Sequence, residues 1–373
     1  MSPRSLSPSW HWMRPIEARP TYGSSGQRKL ALLCKGLGAS SRASQEAFRV
    51  FRLLSDSWAD RPLGSTPAWQ TDITDDGTPF EFSVAFDGGT PRIRILIESQ
   101  KGEMTLASSW AAGLELNERL GHLANVDLEH FNRVSDLFAP SEGAAVSFAL
   151  WHGAELDANN RCSYKVYVNP QVHGPGAAWR TVMESLARLG AENAREFIGS
   201  LLGSSDNGSR LAFFSLDLSA DRGSRIKIYV ANPGIVAEDI ERVLAGTRDY
   251  VAGDGAHWIR QLLGTDGPLQ HRPLLTCFSF TAGDHTPSAT LHVPIRNYAP
   301  HDGYSVDRAC EFLTPKDAKT LRRTVALFAC RPLDVMPAVL TYISLRRLPG
   351  GLNVTTYFAP EAFTARESGR HPV

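Results

Sequence analysis

Arg225-Ile226-Lys227-Ile228-Tyr229-Val230 is written in the period of a β-strand. Side chains along a strand alternate between its two faces. Arg225, Lys227 and Tyr229 therefore share one face, and Ile226, Ile228 and Val230 share the other. The apolar face can pack on helices. The cationic face must line something wet or anionic, because an unpaired buried cation is costly. Similar strands recur as Arg92-Ile-Arg94-Ile-Leu-Ile97, Lys165-Val-Tyr167-Val168, Thr290-Leu-His292-Val-Pro-Ile-Arg296 and Val354-Thr-Thr-Tyr357-Phe358. Their anchor positions Arg94, Lys165, Lys227, His292 and Tyr357 are spaced by about 62 to 71 residues, which is a repeat.

Working outward, each of these strands is preceded by a partner strand and by helical sequence. The spacing predicts a helix over 41–58, then strands over 80–86 and 92–98 joined by the turn Asp87-Gly-Gly. Helical periodicity runs over 106–138, with strands at 145–156 and 163–168. Helices at 178–189 and 193–202 precede strands at 211–218 and 225–230. Helices at 237–251 and 257–263 precede strands at 274–281 and 289–298. Helices at 306–312 and 315–328 precede strands at 339–346 and 352–358. The pattern is five helix–helix–strand–strand units, an α+β chain with ten strands. Strands joined by short turns are antiparallel, and closing ten of them into a barrel removes the exposed edges. Such a barrel is wide enough to hold ligands. Its lumen would gather cations and tyrosines, a setting suited to a diphosphate and a carbocation. One barrel domain is expected over 26–364, with 1–25 and 365–373 as loose tails rich in Pro, Ser, Arg and Gly.

Composition narrows the options. The chain has 373 residues, 42% hydrophobic and 21% charged, which is ordinary for a globular protein. Lys plus Arg equals Asp plus Glu at 39 each. That balance argues against nonspecific nucleic-acid binding, which needs a broad basic surface. The five cysteines are widely spaced with no C-x-x-C pair, so single thiols in a reducing cytosol are expected. No apolar signal region opens the chain, and no run approaches ~18 apolar residues, so no membrane association is expected. The nearest approaches to a magnesium-binding acidic motif are Asp72-Ile-Thr-Asp75-Asp76, in loop-like sequence, and Glu238-Asp-Ile-Glu241, at a helix start where acids suit the dipole. Both read as structural, so no metal and no cofactor are expected. A monomer is the default.

Five motifs on this repeat carry a resemblance. They are Pro79-Phe-Glu81-Phe-Ser83, Lys165-Val-Tyr167 followed by Asn-Pro, Arg225-x-Lys227-x-Tyr229, His292-Val-Pro-x-Arg296-x-Tyr298, and Thr341-Tyr342-x-Ser344 with Tyr357 fifteen residues after Tyr342. From about Phe80 to Phe363 the chain resembles aromatic prenyltransferases of the dimethylallyltryptophan synthase type, and among them the smaller bacterial indole prenyltransferases. The resemblance implies the ABBA fold, a ten-stranded antiparallel barrel ringed by helices. It also implies metal-independent transfer of a dimethylallyl or geranyl group from an allylic diphosphate to an indole, in tryptophan or a tryptophan-derived peptide or indolactam.

The same resemblance implies roles for residues. Arg94, Lys165, Arg225 and Lys227 would clamp the diphosphate, since fixed cations stabilise the leaving group. His292 and Arg346 would join them, with Arg347 competing for the place of Arg346. Tyr167, Tyr229, Tyr342 and Tyr357 would shield the allyl cation with their faces. Glu81 would accept the indole N–H hydrogen bond. His152, about thirteen positions before Lys165-x-Tyr167, is a candidate proton acceptor, although Trp151 could face the lumen in its place. The chain departs from the family at His292, where larger relatives have a tyrosine, and at Thr290, where fungal relatives have a glutamine. Two other functions fit the same barrel: a prenyltransferase for a phenol, naphthol or phenazine, and a non-catalytic module binding an anion or isoprenoid.

Overall fold

The computed structural model describes residues 19–363, apart from 70, 142, 204–207 and 222. The expected tails at 1–18 and 365–373 lie outside the described residues. Helices and strands follow one another in five αα–ββ units. The first comprises α1 (Tyr22–Leu37), α2 (Ser41–Ser55), β1 (Phe80–Phe86) and β2 (Arg92–Glu98); the second α3 (Leu106–Gly121), α4 (Glu129–Asn132), β3 (Leu150–Leu156) and β4 (Cys162–Val168). The third has α5 (Ala178–Arg188), α6 (Glu192–Gly203), β5 (Arg210–Asp217) and β6 (Arg225–Asn232). The fourth has α7 (Ala237–Leu244), α8 (Asp254–Leu263), β7 (Leu274–Thr281) and β8 (Ser288–Val293); the fifth α9 (Asp302–Cys310), α10 (Pro315–Ala329), β9 (Leu340–Leu348) and β10 (Gly351–Phe358). Every neighbouring strand pair is antiparallel, and β1 pairs with β10, from Phe82 opposite Phe358 to Phe86 opposite Val354, to close the barrel.

The main core lies between the outer face of the barrel and the helices. Phe80 and Phe82 point outward from β1. Phe80 stacks on Trp58 at 5.8 Å and meets Phe51 edge-on at 5.2 Å, while Phe358 meets Phe328 of α10 at 5.3 Å. Burying each such ring contributes roughly 1.5–3 kcal/mol. No helix among the described residues is long and apolar enough to cross a membrane.

Four expectations are corrected. A helix, α1, begins at Tyr22, inside the stretch read as a tail. Its sequence hides it, because Gly23, Ser24, Ser25 and Gly26 are poor helix formers. Thr21 caps its N-terminus through a capping box with Ser24. The glycines serve close packing: a Cβ on Gly26 would stand 2.2 Å from Phe51 Cζ. The helical run expected over 106–138 breaks after Gly121 into a single turn and a 3₁₀ segment, Ser135–Phe138. Strand β3 starts at Leu150 rather than at 145, because β2 ends at Glu98, opposite Trp151, and offers no ladder beyond it. Strand β8 stops at Val293 because Pro294 has no N–H to donate; a 3₁₀ turn, Ile295–Asn297, follows.

Candidate active site

Strand alternation decides what enters the lumen. In β6 Arg225, Lys227 and Tyr229 face inward, and in β4 so do Lys165 and Tyr167. Arg94, Glu155, Cys277, His292, Arg346 and Tyr357 join them from other strands. Two connected spaces result. The lower, about 90 Å³, is lined by cations: Arg94, Lys165, Arg225, Lys227 and Arg346. The upper, about 400 Å³, is walled by Phe148, Trp151, Phe213, Leu275 and Tyr342. A β-bulge between Leu211 and Phe213 turns Ala212 as well as Phe213 into this wall. Glu81, Leu96, Tyr167, Tyr229, His292 and Tyr357 line both spaces and form the waist between them.

The waist is aromatic and continuous. Ring centroids stand 6.0 Å apart for Tyr167 and Tyr229, 5.6 Å for Tyr229 and His292, and 5.8 Å for His292 and Tyr357; Tyr342 meets Tyr357 edge-on at 6.2 Å. The Tyr357 hydroxyl lies 3.4 Å from His292 Nδ1 and 3.4 Å from Ser344 Oγ. Burial pushes the Tyr357 phenol up to about 12 and also raises those of Tyr167 and Tyr229, so the ring is uncharged. Burial, with Arg94 and Lys227 nearby, lowers His292 to about 3 and leaves it neutral.

Below the waist, two carboxylates that the sequence reading did not single out hold the cations in place. Glu155 accepts from Arg92 Nε at 3.0 Å and from Arg94 Nε at 2.7 Å, and lies 3.7 Å from Lys165 Nζ. Asp217 accepts from Arg225 Nε at 2.6 Å and lies 3.7 Å from Lys227 Nζ. Burial opposes ionisation of both, but the surrounding cations prevail. Asp217 falls to about 2, and Glu155 lies well below the usual carboxylate range. Both residues are in lumen phase, Glu155 with Trp151 and Asp217 with Phe213, so alternation could have found them. The Arg346 side chain has no hydrogen-bond or ion-pair partner among the described residues. With all five protonated, the lower chamber holds Arg94, Lys165, Arg225, Lys227 and Arg346 against Glu155 and Asp217, an excess of three positive charges. Lys227 bears the strain of this excess. Burial, then Lys165 and Arg225, depress its ammonium to about 7, and the attraction of Asp217 at 3.7 Å offsets them only in part.

Glu81 stands at the waist. Its Oε2 accepts from Thr341 Oγ1 at 2.8 Å, and Oε1 has no protein partner among the described residues. Burial raises its carboxyl to about 8. His152 is a correction. It shares a phase with Leu150, Ala154 and Leu156 and points away from the lumen into the helix layer. Its Nε2 lies 3.0 Å from Asn117 Oδ1 of α3, and a Cβ on Gly113 of the same helix would meet its ring. Trp151 is the residue facing the lumen, stacked on Phe148 at 3.9 Å. Arg347 likewise turns outward, to Asp254. The remaining residues singled out from sequence for the diphosphate and the cation shield all face the lumen.

The acidic stretch at 72–76 is occupied by protein contacts. Asp75 pairs with Arg272 at 2.8 Å and with Arg296 at 3.3 Å, and Asp76 accepts from Thr74, Thr78 and Phe363. Glu241 of the second acidic stretch accepts from the backbone of Gly253 and Ala256 and from Tyr250. No cluster of three or more metal-ligating side chains occurs among the described residues.

The family model described as tryptophan dimethylallyltransferase matches residues 51–325. Among solved structures, the chain is similar to 6-dimethylallyltryptophan synthase from Micromonospora olivasterospora in complex with DMASPP and Trp. The two are 28% identical with a TM-score of 0.84, covering 92% of this chain and 99% of that one. It is 32% identical to prenyltransferase PriB in a ternary complex with L-tryptophan and dimethylallyl thiolodiphosphate, with a TM-score of 0.82 and coverage of 93% and 98%. It is also 23% identical over 363 residues to prenyltransferase anuH of Penicillium roqueforti (strain FM164), covering 81% of this chain and 80% of that protein.

Proposed function

The chain belongs to the tryptophan dimethylallyltransferase family of prenyltransferases, and we propose that within it this enzyme transfers a dimethylallyl group from dimethylallyl diphosphate to the indole of tryptophan or a close derivative. One observation carries the reading: a cationic chamber and an aromatic chamber meet at a waist of three tyrosines, a histidine and a carboxyl. The diphosphate belongs below the waist, where Arg94, Lys165, Arg225, Lys227 and Arg346 stabilise the charge that develops as the allylic C–O bond breaks. The allyl cation lies among Tyr167, Tyr229 and Tyr357, with Tyr342 behind, and their faces stabilise it while excluding water. The indole lies above, against Trp151 and Phe213, with its N–H toward Glu81 Oε1. A ring carbon attacks the cation, a C–C bond forms, and the displaced ring proton passes to Glu81 in its ionised form. A carboxyl titrating near 8 suits holding that proton. Fixing donor and acceptor on either side of one ring of side chains supplies the orientation that makes the step effectively unimolecular.

The test is an incubation with dimethylallyl or geranyl diphosphate and an acceptor, in EDTA and in magnesium, read by mass spectrometry. The acceptors are L-tryptophan, indole, a tryptophan cyclic dipeptide and a dihydroxynaphthalene. The expected result is a gain of one isoprenoid unit on an indole, with EDTA and magnesium alike. Product on the naphthol with none on any indole would overturn the acceptor; dependence on magnesium would overturn the proposal that side chains alone hold the diphosphate.

A further inference from the structure

Strand β7 carries into the lumen a thiol that the reaction above leaves unused. Its inward phase reads Leu275, Cys277, Ser279, each about 7 Å along the strand from the last. Leu275 lines the aromatic chamber, and Cys277 and Ser279 line the cationic one, so Cys277 stands just beneath the waist. In the ladder it pairs with Tyr229 on one side and Thr290 on the other, and it packs in one cluster with Tyr229 and Leu275, with Tyr167 against them. Ser279, one step lower, is 6% exposed, and its Oγ has no hydrogen-bond partner among the described residues. Asn353, on the wall of the same chamber, is 4% exposed with Nδ2 equally unpartnered. Buried polar groups are ordinarily paired, and these two can both donate. They mark the level of a bound anion, and Cys277 marks the level of what that anion carries.

On the reading of this barrel as an indole prenyltransferase, a donor seated on that anion site extends its allyl carbons past the Cys277 thiol toward the tyrosines. Sulfur is polarisable and gives up its lone pair more readily than the neutral phenol oxygens around it. Burial raises the Cys277 thiol against the opposing pull of Lys227, Tyr229, Arg225 and Arg346, so it rests uncharged. A resting thiol is inert toward ordinary electrophiles, but a full allyl cation takes electrons from neutral sulfur. With an indole above the waist, the indole captures the cation. Without one, the cation faces Cys277, which among the described residues is the one thiol lining either chamber.

We propose that Cys277 is a modification site at which the enzyme prenylates itself when its allylic diphosphate is bound without an acceptor. The allylic C–O bond breaks with its electron pair on the diphosphate. A sulfur lone pair forms a C–S bond to the allyl cation, and the S–H proton passes to the departing diphosphate. The product is a dimethylallyl thioether standing at the waist, where it excludes the next donor. The test incubates the full chain with dimethylallyl diphosphate, with and without saturating L-tryptophan, and reads intact mass, fragment masses and diphosphate release. Without tryptophan the chain gains one dimethylallyl unit, located on Cys277, and loses tryptophan prenylation in proportion to the modified fraction. Saturating tryptophan suppresses the gain. Cys277→Ala abolishes it, and preincubation with the donor no longer inactivates this variant. Fragment masses of the wild-type chain fix the site even where the variant fails to fold. The exposed Cys330 is an internal control for nonspecific alkylation. A gain there, at His292 or at a tyrosine with Cys277 unmodified, would overturn the inference, as would no gain at all. Product on tryptophan with no gain on Cys277 would leave the transferase reading standing and defeat the self-modification alone. A gain on Cys277 with no product from any indole would uphold the self-modification and defeat the acceptor reading.

Discussion

Lys227 should make diphosphate binding depend on pH in a calculable way. In the empty lumen its ammonium titrates near 7, because burial and the charges of Lys165 and Arg225 outweigh Asp217 at 3.7 Å. Cys277, the other titratable side chain acting on it, has its thiol raised by burial. A bound diphosphate adds negative charge beside the amine and returns its pKa toward the ordinary 10.5. Between those two values only protonated Lys227 binds the anion well, so the dissociation constant grows in proportion to one plus the ratio of neutral to protonated amine. From pH 6.5 to 8.5 that is about 25-fold, or about 1.9 kcal/mol. The assay is calorimetry with inorganic diphosphate on wild type and Lys227→Met, from pH 6 to 9.5, in buffers of different ionisation enthalpy. Ionisation of diphosphate itself is common to both proteins and cancels in their ratio. Wild type should take up about half a proton more than the variant at pH 7, and the advantage of wild type over the variant should shrink as pH rises. A constant ratio across this range, with equal proton uptake, would refute the assignment. Without ligand the sign reverses: the folded pKa lies below the unfolded one, so the unfolded state binds more protons between about pH 7 and 10.5. In that window Lys227 makes the empty protein more stable as pH rises.

Glu98 is buried, and burial pushes its carboxyl up to about 8. The fold therefore holds a proton that the unfolded chain loses near 4.5, and the stability this represents, present below that value, is lost as pH rises to about 8. Glu98→Gln should be near neutral at pH 4.5 and stabilising by on the order of 4 kcal/mol at pH 8.5; a difference that does not change with pH in calorimetric melting would exclude this. Asp302 is fully buried and accepts from the backbone N–H groups of Ala338, Val339 and Leu340 at 3.0 to 3.2 Å and from Arg331 at 2.5 Å. Asp302→Ala leaves these donors unpaired and should cost roughly 3–5 kcal/mol in denaturant titrations, whereas a cost below about 1 kcal/mol would mean water replaces the carboxylate. Trp151→Ala removes the ring stacked on Phe148 and should raise the KM for the indole acceptor by about tenfold while leaving diphosphate affinity unchanged. A loss confined to diphosphate binding would place the indole elsewhere.

The strands and the lumen set were legible because strand alternation is local. Arg225, Lys227 and Tyr229 declare their shared face within five residues, and the recurrence of that pattern supplied the number of units. The same alternation, carried into β3 and β5, separates His152 from the lumen and brings in Glu155 and Asp217. It resolved β3 poorly from sequence because both faces of that strand are buried, so no polar side marks the interior. Helix α1 was hidden for another reason: its glycines contribute nothing locally and are explained only by Phe51 and Ala59 pressing against them.

What the sequence determined by itself was the repeat, the strand phases and, through them, a lumen rich in cations and tyrosines. Tertiary structure alone decided that β10 closes on β1, which lets Thr341 bond Glu81 and sets Arg94 against Thr355 across some 260 positions of chain. It alone stood Arg272, which lies in a segment with no periodicity, over Tyr342 in the upper chamber. Facing along a strand is set by neighbouring peptide units, whereas the meeting of distant residues is set by how the whole sheet curls and what its helices cover.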